Sequence, residues 1–319
     1  MKALVTGGAG FIGSNLTLEL LDRGHDVTVL DDMYLGTREN LESVEGEVEI
    51  VEGDVRKKDT VERCCEDVDI VFHDAARSSA PMHQENASEG AEVNINGFIN
   101  VMEAARNGDI DKVVYASTSS MYGSVSPPHR EHMGEVPVNL YSASKMSREL
   151  YAQVYHSTYG LNVVGLRYFS VYGPRERAKG QYANLISQFI WKMMEGERPV
   201  IYGDGTQTRD FTFVKDIARG NILAAESDVS GEVLNLGTGR RTSLNELVEK
   251  LNHVLGTDIE PKHVENPLEN YVMHTEADFS KAKEMIGYEP QVDIDEGIRR
   301  TVEFYRGESG FPEEFKRKG

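Results

Sequence analysis

A tyrosine and a lysine four residues apart are the first candidates for chemistry in this sequence. Tyr141 and Lys145 fall in a stretch with helical periodicity, so their spacing puts both side chains on one face of the predicted helix. A neighbouring ammonium lowers the pKa of a phenol from about 10 toward neutrality, which would make Tyr141 a general base. A predicted strand over 112–116 is followed by Ser117-Thr118-Ser119-Ser120, at the sheet edge where α/β proteins bind ligands. Tyrosine, lysine and hydroxyl together suit hydride transfer at a secondary alcohol.

A glycine-rich loop near the start of the chain predicts the cofactor for that chemistry. Gly7, Gly10 and Gly13 form a G-x-x-G-x-x-G pattern between a predicted strand over 2–6 and a predicted helix over 14–23. Glycines let backbone N–H groups approach a pyrophosphate, and the helix dipole stabilises its negative charge. The pattern predicts an anion site at the beginning of the helix.

Two acids narrow the prediction to a dinucleotide. Asp31 and Asp32 follow a second predicted strand, over 26–30, about 20 residues beyond the glycines, where an acid meets an adenosine ribose. A carboxylate at this position would repel the 2′-phosphate of NADP. We therefore expect NAD as the cofactor.

The elements that must position these residues alternate along the first half of the chain. Short apolar runs typical of buried strands are separated by stretches typical of amphipathic helices. The predicted strands cover 2–6, 26–30, 48–52, 70–73, 112–116 and 162–167, and the predicted helices cover 14–23, 60–65, 89–107 and 141–159. This order predicts an α/β fold, a Rossmann doubly wound parallel sheet with helices on both faces.

Beyond residue 173 the alternation loosens, although helices are still predicted over 183–194, 214–225 and 243–255. We expect residues 1–172 to form the NAD-binding domain, interleaved with parts of 203–240. Residues 173–319 would mainly form a smaller, mixed α/β lobe that binds the substrate. The polar tail over 307–319 is expected to fray.

Motifs spread over nearly the whole chain give a further identification. The sequence resembles the extended short-chain dehydrogenase/reductases, specifically the NAD-dependent nucleotide-sugar epimerase/dehydratase family, and within it the UDP-glucose and UDP-N-acetylglucosamine 4-epimerases. The motifs that carry the resemblance are VTGGAGFIGS (5–14), LDD (30–32), EGDV (52–55), FHDAA (72–76), VNINGF (93–98), YASTSSMYG (115–123), YSASK (141–145), LRYFSVYGPRE (166–176), YGDGTQTRDFTFVKDI (202–217) and NLGTG (235–239).

The resemblance implies roles for individual residues. Tyr141 would be the base, Lys145 would hold the nicotinamide ribose, and Thr118 would hydrogen-bond the sugar hydroxyl, with Ser117 and Ser119 as weaker candidates. In the reaction that the family implies, a transient 4-keto sugar forms, rotates and is reduced on its other face. Further residues implied around the NAD are Phe11, Ile12, Asp31, Asp54, Val55, Ala75, Asn94 and Tyr168.

The two residues after Thr118 favour one reaction among those of the family. The dehydratases resemble Thr-Asp-Glu where this chain has Thr118-Ser119-Ser120. Elimination of the sugar 6-hydroxyl needs an acid and a base, and serines supply no carboxylate. The same substitution argues against decarboxylases with a glutamate at position 120. We therefore expect a UDP-sugar 4-epimerase.

Two residues bear on the nucleotide and the sugar. Arg209 matches a family arginine that grips the nucleotide diphosphate, where a guanidinium fork suits phosphate. Thr275 matches the family position beside the sugar 2-substituent, where a threonine leaves room for an N-acetyl group. A second diphosphate-binding arginine is expected near Leu268 and is missing there. The candidates to replace it are Arg177, Asn266 and Asn270.

One segment indicates an alternative reaction. Lys179, after VYGPRERA, resembles the lysine that serves as a second acid/base in ADP-heptose 6-epimerases; otherwise it is a loop charge or a phosphate contact. Ser170 replaces the asparagine of most relatives. UDP-glucuronate 4-epimerisation and, in another class, a non-catalytic NAD-binding regulator also remain open.

Composition excludes several classes of partner. Lys+Arg 34 against Asp+Glu 53 gives a net charge of −19, which argues against nucleic acid or an anionic membrane. No apolar run is long enough for a membrane span, and the first predicted strand leaves no room for a signal peptide, so a cytoplasmic protein is expected. The family implies a homodimer through the predicted helices over 89–107 and 141–159.

Metal and disulfide chemistry are not expected either. The adjacent Cys64 and Cys65 are the two cysteines of the chain, and neighbours on a helix point in different directions. His83, His129 and His132 are scattered in polar sequence, without ligand spacing, and we expect them to be solvated.

Overall fold

The computed structural model describes residues 1–133, 137–266 and 271–307. Seven of its strands form one parallel sheet. The strands in chain order are β1 (Lys2–Thr6), β2 (Asp26–Asp31), β3 (Glu49–Glu52), β4 (Ile70–His73), β5 (Lys112–Thr118), β6 (Val163–Tyr168), β7 (Val171–Tyr172), β8 (Val200–Tyr202), β9 (Thr208–Arg209), β10 (Thr212–Phe213), β11 (Glu232–Leu236), β12 (Thr242–Ser243) and β13 (Lys262–Val264). The order in the sheet is β11-β6-β5-β4-β1-β2-β3.

Helices connect these strands. In chain order they are α1 (Phe11–Asp22), α2 (Lys58–Cys64), α3 (Ala80–Glu85), α4 (Ala87–Ala91), α5 (Gly97–Asn107), α6 (Leu140–Tyr159), α7 (Leu185–Met194), α8 (Val214–Glu226), α9 (Leu244–Leu255), α10 (Ser280–Ile286) and α11 (Ile294–Gly307). Short 3-10 helices cover Arg38–Val44, Ser119–Tyr122 and Arg177–Tyr182, and a π turn covers Glu92–Asn96.

Helices cover both faces of the sheet, so its central strands are buried along most of their length. All seven residues of β5 are buried. One core cluster joins the sheet to α1, α8 and α10, and a second joins the opposite face to α2, α5 and α6. Parallel strands with helices on both faces are the doubly wound arrangement that the alternation predicts, and this prediction is confirmed.

A third core cluster lies in the later part of the chain. It brings α7, α9 and α11 together through side chains such as Ile190, Leu247 and Val302. Strand β11 also comes from this later part, but it pairs with β6 at the edge of the main sheet. The division into a cofactor domain and a sugar lobe stays a prediction.

Several element boundaries differ from those predicted. Helix α1 begins at Phe11, three residues before the predicted start, and Gly13 lies inside it although glycine is a poor helix former. The predicted helix over 89–107 is divided by the π turn into α4 and α5. Helices α10 and α11 were not predicted, although the spacing of the buried Ile298, Val302 and Tyr305 is helical.

The histidine prediction is wrong for two of three residues. His83 and His129 are 1% and 0% exposed, whereas His132 is exposed. Cys64 and Cys65 are free and buried, and burial raises the pKa of both thiols. Within the described ranges, no group of His, Cys, Asp or Glu is arranged to hold a metal ion, and no helix has the length and apolarity to cross a membrane.

Candidate active site

A cavity of about 420 Å³ lies at the carboxyl ends of the central strands. Most site residues predicted from the sequence line it. They are Gly7, Gly10, Phe11, Ile12, Gly13, Asp31, Asp32, Val55, Ala75, Thr118, Ser119, Tyr141, Lys145, Tyr168, Ser170, Lys179, Arg209 and Thr275. Asp54, Asn94 and Arg177 do not line it.

The glycine loop leaves an uncapped helix end facing the cavity. Gly7 has a φ of 72°, and a Cβ on Gly13 would lie 2.1 Å from the Gly7 carbonyl oxygen, so the turn requires glycine at both positions. No side chain caps α1 at Gly10. The first N–H groups of α1 are therefore available to an anion, and this end of the cavity fits a pyrophosphate.

Asp31 ends β2 beside this loop. Its carboxylate accepts hydrogen bonds from the backbone N–H groups of Ala9 and Met33, both at 2.9 Å. Burial nevertheless raises its pKa above the usual value. The uncapped helix end and the acid at the end of the neighbouring strand together fit a dinucleotide.

Asp32 is engaged by an arginine that the sequence reasoning missed. Arg77 pairs with Asp32 at 3.1 Å and with Glu89 at 2.8 Å, and its guanidinium lies 3.8 Å from the centre of the Tyr34 ring. Arg77 lines the cavity and is buried. Its side chain therefore joins the loop after β2 to α4 across one side of the cavity.

Two of the predicted cofactor residues, Asp54 and Asn94, form their contacts outside the lining of the cavity. Asp54 turns toward Arg56, with an N···O distance of 2.6 Å, and this ion pair holds the pKa of Asp54 below its usual value. Asn94 is fully buried in the π turn, where it accepts from the Arg77 N–H at 2.8 Å and donates to Ser144 Oγ at 2.9 Å. Neither side chain lines the cavity, and their place around the NAD stays a prediction.

Thr118, Tyr141 and Lys145 meet at the opposite end of the cavity. The Lys145 ammonium donates to the Ala116 carbonyl at 3.0 Å and lies 6.0 Å from the centre of the Tyr141 ring. Burial raises the pKa of Tyr141, while a hydrogen bond with Thr118 and the charge of Arg148 act in the lowering direction. The prediction that Lys145 lowers the pKa of Tyr141 is therefore wrong. The pKa of Lys145 falls well below its usual value because of burial and Arg148.

Behind Tyr141 lies a network that the sequence reasoning also missed. The rings of His83 and Tyr141 meet edge to face at 5.5 Å. One ring nitrogen of His83 faces the Ser79 carbonyl at 3.1 Å, and the other faces the Asn94 amide at 3.2 Å. The His83 ring therefore holds one face of Tyr141, and the i, i+4 pair alone gave no signal of it.

Ser117, the weaker hydroxyl candidate, points away from Tyr141. Its hydroxyl donates to Glu149, which forms a buried, two-pronged ion pair with Arg167. Thr118 instead accepts from the Ser120 N–H at 3.1 Å and caps the short helix over Ser119–Tyr122. Thr118 is thus the hydroxyl of this run that meets Tyr141.

The far wall contains the residues predicted to bind the sugar nucleotide. Arg209 donates to the backbone carbonyls of Thr208 and Met273, and its guanidinium stacks 5.2 Å from the centre of the Tyr271 ring. Asp210 turns the other way, toward N–H groups of Thr238, Gly239 and Ala277. Arg209 is therefore not committed to an ion pair with its neighbour in the chain.

Thr275 and Lys179 are both anchored. The Thr275 hydroxyl accepts from the Asp210 N–H at 3.1 Å, and the side chain is 8% exposed. Lys179 pairs at 3.0 Å with Glu176, which is buried and also accepts from the Ser187 hydroxyl at 2.6 Å. Ser170 has a φ of 28°, a backbone region that asparagine tolerates better than serine.

The proposed replacements for the second diphosphate-binding arginine are not in the cavity wall. Arg177 is exposed and Asn266 is half-buried, and neither lines the cavity; Leu268 and Asn270 lie outside the described residues. Asn184, which caps α7, does line it and was not predicted.

Comparisons with known proteins agree with this architecture. The family model described as the NAD dependent epimerase/dehydratase family matches residues 3–237. A putative UDP-glucose 4-epimerase from Methanocaldococcus jannaschii is 39% identical over 306 residues, covering 95% of this chain and 98% of the relative. A UDP-N-acetyl-alpha-D-glucosaminuronate decarboxylase from Bacillus cytotoxicus is 34% identical, covering 96% of this chain and 98% of the relative.

A solved structure is similar over nearly the same length. It is the UDP-N-acetylglucosamine 4-epimerase from Methanobrevibacter ruminantium in complex with UDP-N-acetylmuramic acid. The TM-score is 0.90 at 38% identity, and the match covers 95% of this chain and 97% of that one.

Proposed function

Because this chain belongs to the NAD dependent epimerase/dehydratase family, we propose that it is an isomerase that inverts carbon 4 of a UDP-sugar. Its cofactor is NAD, as for the family. The relatives include both epimerases and a decarboxylase, so the choice of reaction rests on the residues of the site.

The observation that carries the proposal is the absence of a carboxylate beside Thr118. In the described part of the chain, the acids that line the cavity are Asp31, the last residue of β2, Asp32, which follows it, and Asp74, which follows β4. Ser119 and Ser120 follow β5 and line the same cavity as Tyr141. Elimination needs an additional acid and base near the sugar, whereas epimerisation needs one proton carrier and room for a ketone to rotate.

Tyr141 is the proton carrier in this proposal. Its phenolate takes the proton of the sugar 4-hydroxyl while Thr118 hydrogen-bonds the same oxygen, and carbon 4 becomes a ketone. NAD supplies the acceptor for the hydride that leaves carbon 4. Tyr141 would return the proton once the ketone has turned over and been reduced on its other face, so no net oxidation would result. Lys145 would hold the cofactor ribose beside Tyr141.

The sugar nucleotide would lie along the wall formed by Arg209 and Thr275. A guanidinium that is not paired with Asp210 is suited to a diphosphate. The side chain at 275 is small and tied back to Asp210, which leaves space for a 2-N-acetyl group. We therefore propose that UDP-N-acetylglucosamine is accepted as well as UDP-glucose.

The test is incubation with UDP-, ADP- and TDP-sugars, including UDP-glucuronate, with the products resolved by NMR. We expect interconversion at carbon 4 for UDP-glucose and UDP-N-acetylglucosamine. Tyr141→Phe should lower kcat by at least about a thousandfold, since it removes the proton carrier. Loss of water or carbon dioxide from a substrate, or no epimerised product, would refute the proposal. Product formation at the wild-type rate by Tyr141→Phe would refute the role of Tyr141.

A specificity variant tests the sugar separately. We expect Thr275→Tyr to shift the ratio of kcat/KM values toward UDP-glucose, and away from the N-acetyl sugar, by about tenfold or more, because the ring fills the space. Thr275→Val is the matched control, since it removes the hydroxyl that accepts from Asp210 and keeps the volume. Equal shifts in both variants would show that the hydrogen bond, and not the space, controls selectivity.

A further inference from the structure

Asp74 is a half-buried acid of the cavity wall to which the proposed reaction gives no task. It follows β4, lines the cavity, and lies next to Tyr168 of β6, whose hydroxyl is 3.1 Å from Asp74 Oδ1. Its other carboxyl oxygen, Oδ2, is buried and has no hydrogen-bond partner within the described part of the chain. An ionised carboxylate in this position would be costly unless a positive charge faces it.

The hydrogen bonds of Tyr168 indicate which protonation state of Asp74 the protein favours. The Tyr168 hydroxyl also lies 3.0 Å from Asn221 Oδ1. The Asn221 amide is fixed in this orientation because its Nδ2 donates to the Ile217 carbonyl at 2.9 Å. One hydroxyl proton cannot serve two acceptors. A protonated Asp74 resolves the conflict, since it can donate to Tyr168 while Tyr168 donates to Asn221.

The charged and titratable groups around Asp74 come from three elements. Lys145 and Arg148 approach from α6 and Tyr168 from β6, and His73, the last residue of β4, precedes Asp74 in the chain. Burial raises the pKa of Asp74 to about 6, against the lowering effect of Lys145 and Arg148. Arg148 is fully buried and donates to the carbonyls of Asn94 and Ala75. Asp74 therefore lies beside two buried basic side chains, Lys145 and Arg148.

We propose that Asp74 is the counter-charge of the redox end of the cavity, and that its carboxylate stabilises the cofactor with an oxidised, positively charged nicotinamide ring over the reduced, neutral one. The oxidised ring adds a third positive charge near Lys145 and Arg148. Binding of the oxidised cofactor would favour ionisation of Asp74, with the proton leaving to solvent. Asp74 would act on the cofactor electrostatically, both directly and through Lys145, so it is a positioning residue.

The consequence for the reaction is a bias toward hydride return. Whatever stabilises the oxidised ring makes transfer of hydride from the reduced cofactor to a ketone more favourable. A ketone that is reduced quickly has less time to leave the site. This inference uses the NAD dependence of the family and not the identity of the sugar, so its failure and the failure of the epimerase proposal are separate outcomes.

The experiment is a potentiometric titration of the holoenzyme, with absorbance of the reduced nicotinamide as readout and the free NAD couple at the same pH as reference. At about pH 8 we expect Asp74→Asn to raise the ratio of reduced to oxidised bound cofactor by about tenfold or more at a fixed potential. Glu226→Gln is the matched control, since it removes one negative charge from an exposed position of α8 that does not line the cavity. We expect it to leave the ratio unchanged.

The wild-type protein gives a second readout that does not depend on a variant. Relative to the free couple, its ratio of reduced to oxidised cofactor should fall as the pH rises through about 6, because Asp74 becomes ionised. Asp74→Asn should show no such step. An unchanged ratio in Asp74→Asn, an equal change in Glu226→Gln, or a wild-type ratio independent of pH would each overturn the proposal.

Discussion

Lys179 is the residue that separates two mechanisms within the family. It lines the cavity, but its ammonium is held at 3.0 Å by the buried Glu176, which Asn184 and Ser187 also contact. A group fixed in this way is suited to shape the wall rather than to exchange a proton with a sugar.

We therefore expect Lys179→Gln to lower kcat/KM by less than about tenfold, because glutamine can still donate to Glu176. A second acid/base would cost at least about a hundredfold. Steady-state kinetics with each accepted sugar measures the difference. A hundredfold loss in kcat, with the fold intact by circular dichroism, would favour the ADP-heptose type of mechanism instead.

The residues predicted correctly and those missed differ in how far apart their partners lie in the chain. The glycine loop and the pair Tyr141 and Lys145 are visible because their spacing within one segment determines their geometry. Arg77 and His83 act on segments from other parts of the chain, so no local spacing reveals them. The direction of the Tyr141 pKa was wrong for the same reason, since burial depends on the assembled fold.

At the scale of elements, a buried ion pair joins the strands that carry the site to the helix that carries Tyr141. Arg167 of β6 contacts Glu149 of α6 at 2.8 Å, with both side chains 10% exposed or less. Ser117 of β5 donates to the same carboxylate, and Arg167 also donates to the Tyr122 hydroxyl at 2.8 Å. This pair fixes the register between β5 and α6, on which the meeting of Thr118 and Tyr141 depends.

Removal of the acid should therefore be costly. We expect Glu149→Gln to lower the free energy of unfolding by about 3 kcal/mol, because Arg167 loses its carboxylate while buried. Glu149→Gln combined with Arg167→Met should recover part of that loss, and urea denaturation of all four proteins of the cycle measures the coupling. Additive losses in the double variant would show that the pair does not stabilise the fold as a unit.

Six of the seven strands of the sheet were predictable because their alternation with helices in the first half of the chain is strong. The seventh, β11, was not predicted, since it joins the sheet from the later part of the chain. The short strands β7 to β10, β12 and β13 were not predicted, since each has only two or three residues and no period can be read from so few. The predicted helix over 89–107 is divided because residues 92–96 form a π turn, which interrupts the α-helical repeat. In this turn the Asn94 side chain accepts a hydrogen bond from the backbone N–H of Arg77.

At the scale of the whole molecule, net charge and apolar surface act against each other. The chain carries −19, so two copies repel at low ionic strength. Yet α6 exposes large apolar side chains: Leu140 (54%), Leu150 (61%), Tyr151 (43%), Val154 (54%) and Tyr159 (52%). Leu140, Tyr151 and Val154 lie within about 60° of one another around the helix axis, and Leu150 flanks them. We propose that this face of α6 is the interface of a homodimer.

The dissociation constant of the dimer should then fall when salt is added and rise when a charge is introduced on the exposed face of α6. Sedimentation velocity should show dimers whose dissociation constant falls from low to moderate ionic strength, because salt screens the repulsion and leaves the apolar contact. Leu150→Glu should shift the protein to monomer, since two-fold symmetry brings an added charge into the same interface from both copies. Tyr202→Glu adds the same charge at another exposed aromatic residue and should leave the dimer intact. Equal dissociation by both variants would mean that net charge, and not the face of α6, controls association.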